Sequence, residues 1–210
     1  MIENPRRTAL KALPSNQRAR INVCRGLGVV LIPPVLFIRP YFAEAFGGFL
    51  EQAGVMLVIA CVLGRCWAML YIGGNKNGRL TTTGPYSLCR NPLYVFSVMG
   101  VAGCGLMIQS LTYTAILTSV AVAILFQAAR SEEGYLAEKF AEDYAAYRTR
   151  TPRFVPVNFR AFQTASSLPV NVSSLKRCFW DATLFILTIP ALELVEWLHE
   201  VNAVATFVLP

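Results

Sequence analysis

Two short stretches of the chain hold the residue types that chemistry needs. The first is Gly84-Pro85-Tyr86-Ser87-Leu88-Cys89-Arg90-Asn91-Pro92-Leu93-Tyr94. The second opens with Arg130-Ser131-Glu132-Glu133 and continues through Phe140, Tyr144, Tyr147, Arg153 and Pro156. The residues between them are mostly apolar and just numerous enough to cross a bilayer and return. Phenols, guanidiniums and carboxylates therefore gather at one membrane surface, beside the lipid. Such a place suits the modification of a molecule with an apolar tail and a water-facing head. The bland alternative is an interfacial belt, since Tyr is common at membrane surfaces and Arg in the loops beside them. Against that, Glu132 and Glu133 lie a few residues beyond an apolar run, where carboxylates are costly without a partner or a role.

The elements that must position these residues are apolar runs at 21–38 (interrupted by Pro33-Pro34), 48–72, 93–108, 111–129 and 179–192, with an apolar tail at 201–209. A helical span needs about 20 predominantly apolar residues. The second and fourth runs meet this; the first and third are near the lower limit. The fifth is short unless it continues through 193–200. The expectation is an all-α, polytopic transmembrane protein of about five spans, with a cytosolic helical catalytic segment after the fourth. It divides into a basic cytosolic arm at 1–20, a membrane core at 21–156, and a linker with an additional C-terminal span at 157–210.

Composition agrees with a membrane setting. The chain is 55% hydrophobic and only 15% charged, with mean hydropathy +0.48; soluble domains carry about 25% charged residues. The net charge of +7 does not point to nucleic acid, because the basic residues fall between the apolar runs. With the N-terminus in the cytosol, all 19 Lys and Arg except Arg39 and Arg65 lie in cytosolic segments, as the positive-inside rule asks. Five spans then put the C-terminus outside. The setting is a bacterial inner membrane or an equivalent endomembrane, and the first run reads as a retained span because no small-residue cleavage pattern follows it. The six cysteines form no Cys-x-x-Cys pair and mostly sit in or beside apolar runs, where free Cys acts as a small hydrophobe. No metal site is expected: Glu196 and His199 have a metal-binding spacing, but they read as the interfacial end of a helix, with Trp197 as anchor. The sequon at Asn171 falls on the cytosolic side and is expected to stay unused.

Only Gln109-Ser110 separates the third and fourth runs, so these pack antiparallel. Gly100, Ala102, Gly103 and Gly105 give the third run small-residue spacing, which lets helix backbones approach in lipid; the other reading is a slot for a cofactor. Pro92 suits a first helical turn, so Tyr86, Arg90, Asn91 and Tyr94 cluster at the mouth. Adjacent glutamates on a helix point about 100° apart, so one of Glu132 and Glu133 faces the site and the other faces water. Phe140, Tyr144 and Tyr147 recur at helical spacing and mark one face of a short helix lying back over the mouth. Arg65 inside the second run is expected to pair with a site carboxylate or to line the cleft for the acceptor.

Taken together, Gly-Pro-Tyr-x-x-x-Arg-Asn-Pro-x-Tyr, a short membrane hairpin, Arg-x-Glu-Glu-x-x-Leu-x-x-x-Phe-x-x-x-Tyr-x-x-Tyr and a final Arg-Phe-x-Pro resemble the isoprenylcysteine carboxyl methyltransferase and phospholipid methyltransferase superfamily, over residues 54–156. Many members have His where this chain has Asn91, a departure that slightly favours an amine acceptor. The resemblance implies an integral membrane enzyme that uses S-adenosylmethionine. It implies that Glu133, with Glu132 second, holds the cofactor's ammonium. Asn91, Arg90 or a backbone N–H would hold its carboxylate, and Tyr86, Tyr94, Tyr144 and Tyr147 would flank adenine and sulfonium. Arg153 or Arg130 would grip a carboxylate or phosphate of the acceptor. The implied partners are the bilayer and a hydrophobic methyl acceptor entering from it, with no nucleic acid. The reading is methyl transfer to a lipid-like or prenylated acceptor at the cytosolic face, or alternatively phospholipid N-methylation. A sterol-reductase-like NADPH-dependent membrane reductase and a non-catalytic membrane protein are the readings from other classes.

Overall fold

The computed structural model describes residues 37–39, 44–74, 79–156, 158–201 and 207–208. The basic arm at 1–20 and all but the end of the expected first span lie outside the described residues.

Five helices carry the architecture: α1 (Glu44–Ile72), the single turn α2 (Pro85–Leu88), α3 (Pro92–Met107), α4 (Leu111–Arg150) and α5 (Val172–Glu200). A 3-10 turn at Phe159–Ala161 lies between α4 and α5. A two-residue parallel bridge pairs Ile38–Arg39 with Phe207–Val208. Among the described residues three stretches are long and apolar enough to cross a membrane: Phe46–Ile72, Leu111–Arg150 and Val172–His199; α3 is a shorter apolar helix. The chain is a polytopic helical membrane protein. The fifth apolar run does continue through 193–200, as one helix with Pro190 inside it.

Local chemistry sets the helix ends. Proline occupies the first turn of both α2 and α3, where the absent N–H is no loss. Gln109 turns the chain in the left-handed region (φ 58°), and the Ser110 side chain then caps α4 by accepting from the Tyr113 N–H at 3.3 Å. Asn171 caps α5 by accepting from the Ser174 N–H at 2.9 Å.

The second corner is where reading and structure part. The straight limb of α4 before its break at Ala141, residues 111–140, rises about 45 Å at 1.5 Å per residue, well beyond the roughly 30 Å hydrocarbon core. The end of this limb therefore lies beyond the membrane. The expected separate cap helix is the continuation of α4 across a sharp break at Ala141 (φ 35°, ψ −106°). Phe140 precedes the break, so it does not share a continuous helical face with Tyr144 and Tyr147; the latter two are buried and Phe140 is half-buried.

Helix α3 is the hub, packing against α1, α4 and α5. Its glycines serve close approach. A Cβ on Gly103 would meet the Gly54 carbonyl oxygen of α1 at 2.6 Å, and one on Gly54 would meet the Gly103 oxygen at 2.6 Å. The slot reading fails at Gly100, whose open side is filled by Cys61 Sγ and the Phe185 ring. Arg65 does not pair with a site carboxylate as expected. It donates to Ser97 Oγ, which in turn donates to the Leu93 carbonyl at 2.7 Å, so it ties α1 to α3. The outward faces of α1, α4 and α5 expose Met56, Leu63, Val122 and Leu184, the surface that lipid would cover.

Candidate active site

The turn formed by α2 and the start of α3 meets the part of α4 just past its apolar run. Four backbone or side-chain bonds hold that turn against the chain that follows α4. The Arg90 N–H donates to the Pro152 carbonyl at 2.9 Å and the Asn91 N–H to the Arg153 carbonyl at 3.2 Å. The Gly84 N–H donates to the Gln163 carbonyl at 2.6 Å, and the Gln163 N–H to Ser87 Oγ at 3.0 Å. Gly84 sits at φ 63° with the Tyr71 ring against it, a conformation and a crowding that a side chain would not tolerate.

Glu133 is the centre of this arrangement. Its side chain is 9% exposed. Arg153 donates to it through Nε (3.1 Å to Oε1) and Nη2 (3.0 Å to Oε2). Asn91 Nδ2 donates to Oε1 at 3.0 Å, and Arg90 Nη1 lies 3.4 Å from Oε2. Both oxygens are thus engaged by the chain itself, and the bidentate fork is the strongest geometry such a pair offers. Asn91, read as a contact for a bound carboxylate, points its amide at Glu133. Its neighbour Glu132 is exposed, though its charge still acts on the Tyr86 phenol.

The aromatic residues form a second layer. Arg90 Nη1 donates to Tyr144 Oη at 3.4 Å. Tyr147 Oη donates to the Tyr86 carbonyl at 2.6 Å, and the rings of Tyr144 and Tyr147 meet edge to face at 6.2 Å. Burial pushes the Tyr86 phenol well above its usual range, with the charges of Tyr147 and then Glu132 adding to the push. Burial likewise raises Tyr147, and it raises Tyr144, where Arg90 opposes the nearby Glu133. The Cys89 thiol is pushed up to about 11 by burial. These groups are neutral donors throughout the physiological range. Tyr94 is half-buried on the first turn of α3, close enough to Tyr86 to influence its phenol. Arg130 is exposed, with its guanidinium 5.8 Å from the Phe126 ring centre.

Two buried donors at the site have no partner among the described residues: Tyr86 Oη and Arg90 Nε. An unpaired buried donor costs about 1–3 kcal/mol; Arg65 Nε, Thr81 Oγ1, Tyr113 Oη and Thr118 Oγ1 are in the same state elsewhere among the described residues. Sequence reasoning missed Phe126, whose ring lies under both Arg130 and Arg153 (5.4 Å), and Gln163, which clamps the turn. Phe126 is hidden within an apolar run, and its only signal is its position one helical turn before Arg130.

Comparison with known proteins follows this geometry. Residues 45–143 match the phospholipid methyltransferase family model. A cobalt-zinc-cadmium resistance protein, CzcN, of Cupriavidus metallidurans is 35% identical over 193 residues, covering 91% of this chain and 88% of the relative. A nickel-cobalt-cadmium resistance protein, NccN, of Alcaligenes xylosoxydans xylosoxydans is 36% identical over 194 residues, covering 91% and 90%. A protein-S-isoprenylcysteine O-methyltransferase of Schizosaccharomyces pombe is 29% identical over 83 residues, covering 40% and 35%. No solved structure matches the chain. The paired motifs, the helical hairpin between them and these matches agree: the chain belongs to the phospholipid methyltransferase and isoprenylcysteine carboxyl methyltransferase superfamily.

Proposed function

We propose that the protein transfers a methyl group from S-adenosylmethionine to a lipid-like or prenylated acceptor at the cytosolic membrane face. The observation that carries this reading is the pair of buried donors without a partner among the described residues, Tyr86 Oη and Arg90 Nε, side by side with the engaged Glu133 clasp. They suit the cofactor's carboxylate. Glu132 is the carboxylate placed for its ammonium, because its charge reaches the Tyr86 phenol while both oxygens of Glu133 are engaged. Glu133 then acts as a positioning residue that fixes Arg90 and Arg153. Bound S-adenosylmethionine would supply an electrophilic methyl for in-line displacement. The chain's part is to align the reactants and exclude water, with Tyr94, Tyr144 and Tyr147 lining the site. Arg130 and Arg153, both over Phe126, would orient an acidic head group. Asn91 in the Asn-Pro-x-Tyr motif favours phospholipid N-methylation as the second reading. The names of the two near-full-length relatives suggest a setting in resistance to cobalt, zinc, nickel or cadmium, with methylation acting on a membrane component.

The test is binding of labelled S-adenosylmethionine and of NADPH to the detergent-purified protein. Tyr86→Phe should weaken S-adenosylmethionine binding by about 2- to 10-fold while leaving the cofactor-free protein as stable or more so. Glu132→Gln should weaken it about 10- to 150-fold. Binding of NADPH alone, or unchanged affinity in both variants, overturns the reading. Comparing membrane lipids with and without the protein, for species heavier by one CH2, identifies the acceptor.

A further inference from the structure

The chain between Arg153 and Gln163 is a loop whose ends are fastened and whose middle is greasy. Its start is held by the bonds from Arg90 and Asn91 to Pro152 and Arg153, and its end by those joining Gln163 to Gly84 and Ser87. Phe154 rests on Phe126 of α4, ring centres 5.9 Å apart, and Phe162 rests on Trp67 of α1 at 6.0 Å. The loop therefore bridges from α4 to α1 across the N-terminal end of α3. Between these anchors Val155 is 73% exposed and Phe159 70% exposed, and Arg160 beside them is exposed too.

Depth follows from Glu133. It lies four residues past Ala129, the last residue of the apolar run, about 6 Å along the helix. Arg153 is bonded to Glu133, so the loop begins at the bilayer surface. The next element, α5, opens with exposed Val172 and is itself a candidate span. Arg148, Arg150, Lys176 and Arg177 are exposed or nearly so around it. Exposed apolar side chains interleaved with guanidiniums at this depth complement the headgroup layer of a negatively charged leaflet.

We propose that this loop seats in the headgroup layer of an anionic leaflet through Val155, Phe159 and Arg160. The seating does not depend on methyl transfer, so it can stand or fall apart from that reading.

The test places the photo-crosslinker p-benzoylphenylalanine at Phe159 of the full-length protein in nanodiscs of mixed phosphatidylcholine and phosphatidylglycerol. Glu138, exposed on the limb of α4 beyond the membrane, is the control position. Mass spectrometry should find phospholipid adducts at position 159 and few at 138, with phosphatidylglycerol over-represented. Arg160→Gln should lower the phosphatidylglycerol-to-phosphatidylcholine adduct ratio by up to about fivefold. Adducts only to the protein's own peptides, or lipid adducts no more frequent than at 138, overturn the seating. Lipid adducts without anionic enrichment, unchanged by Arg160→Gln, overturn the anionic preference.

Discussion

Glu133→Gln separates two roles that the same carboxylate could fill. Gln keeps the shape and one carbonyl acceptor but removes the charge that three side chains converge on. Arg90, 8% exposed at its side chain, then stays buried without its counter-charge, and the new amide faces the Asn91 amide across a 3.0 Å contact built for a donor and an acceptor. Arg153, 29% exposed, can turn partly to water, which softens its share. Breaking one partner out of a buried ion pair costs about 3–5 kcal/mol, a large part of the roughly 5–15 kcal/mol that holds a domain together. For a chain of this size that corresponds to a fall in midpoint of roughly 6–20 °C, read by thermal unfolding of the protein in nanodiscs. Arg90→Gln combined with Glu133→Gln removes both charges, so the double variant should lose less stability than the two single losses added together. Titration with labelled S-adenosylmethionine completes the assay. If Glu133→Gln melts like the parent protein and loses only cofactor affinity, the carboxylate is the ammonium ligand and the clasp argument is wrong.

Three further outcomes are expected. Tyr147→Phe strips the 2.6 Å donor from the Tyr86 carbonyl, and thermal unfolding should show a loss of about 1–3 kcal/mol. The Cys89 thiol, raised from 9.0 to about 11 and 4% exposed, should resist N-ethylmaleimide at pH 8 until the protein unfolds, as mass spectrometry of the labelled peptide would show. Because its folded pKa is the higher one, its contribution to stability is fully present below pH 9 and disappears as pH rises toward 11; a thiol-dependent gain in stability over that window would contradict the sign. Reporter fusions at Gln163 and after Pro210 should fall on opposite membrane sides, cytosolic and outer respectively, and a cytosolic C-terminus would remove α5 as a span.

Three of the five expected spans, α1, α4 and α5, were legible because bilayer thickness demands a long run of apolar residues, while the third run is a shorter apolar helix and the first lies almost wholly outside the described residues. The meeting of the Arg90-Asn91 turn with Glu133 was legible too, since both flank a hairpin closed by Gln109-Ser110. The break at Ala141 was not. A returning helix with Tyr144 and Tyr147 facing the mouth was expected, but no Pro or Gly marks where it turns; the bend is tied to burial of Tyr144 and Tyr147, a tertiary effect that outweighs local propensity. Nor could residue types reveal which partner Glu133 takes. An ammonium, a guanidinium and an amide all suit a carboxylate, and the choice is decided by where Arg153 returns, twenty residues later along a bent path.

That choice fixes the electrostatics of the mouth. Arg90 and Arg153 share a single engaged carboxylate, so the cluster carries one positive charge in excess, while the exposed Arg130 and Glu132 at its edge offset one another. An uncompensated guanidinium beside lipid is unfavourable, and Arg90 also leaves Nε unpaired. Both deficits are relieved by the same thing, an anionic group from outside the chain. On the proposed function, the cofactor's carboxylate would relieve the inner one and an acidic head group on the acceptor the outer. S-adenosylmethionine carries an ammonium and a sulfonium against one carboxylate, so on that function it would add a net positive charge, and an acidic head group on the acceptor is the partner that would lower the excess at the mouth.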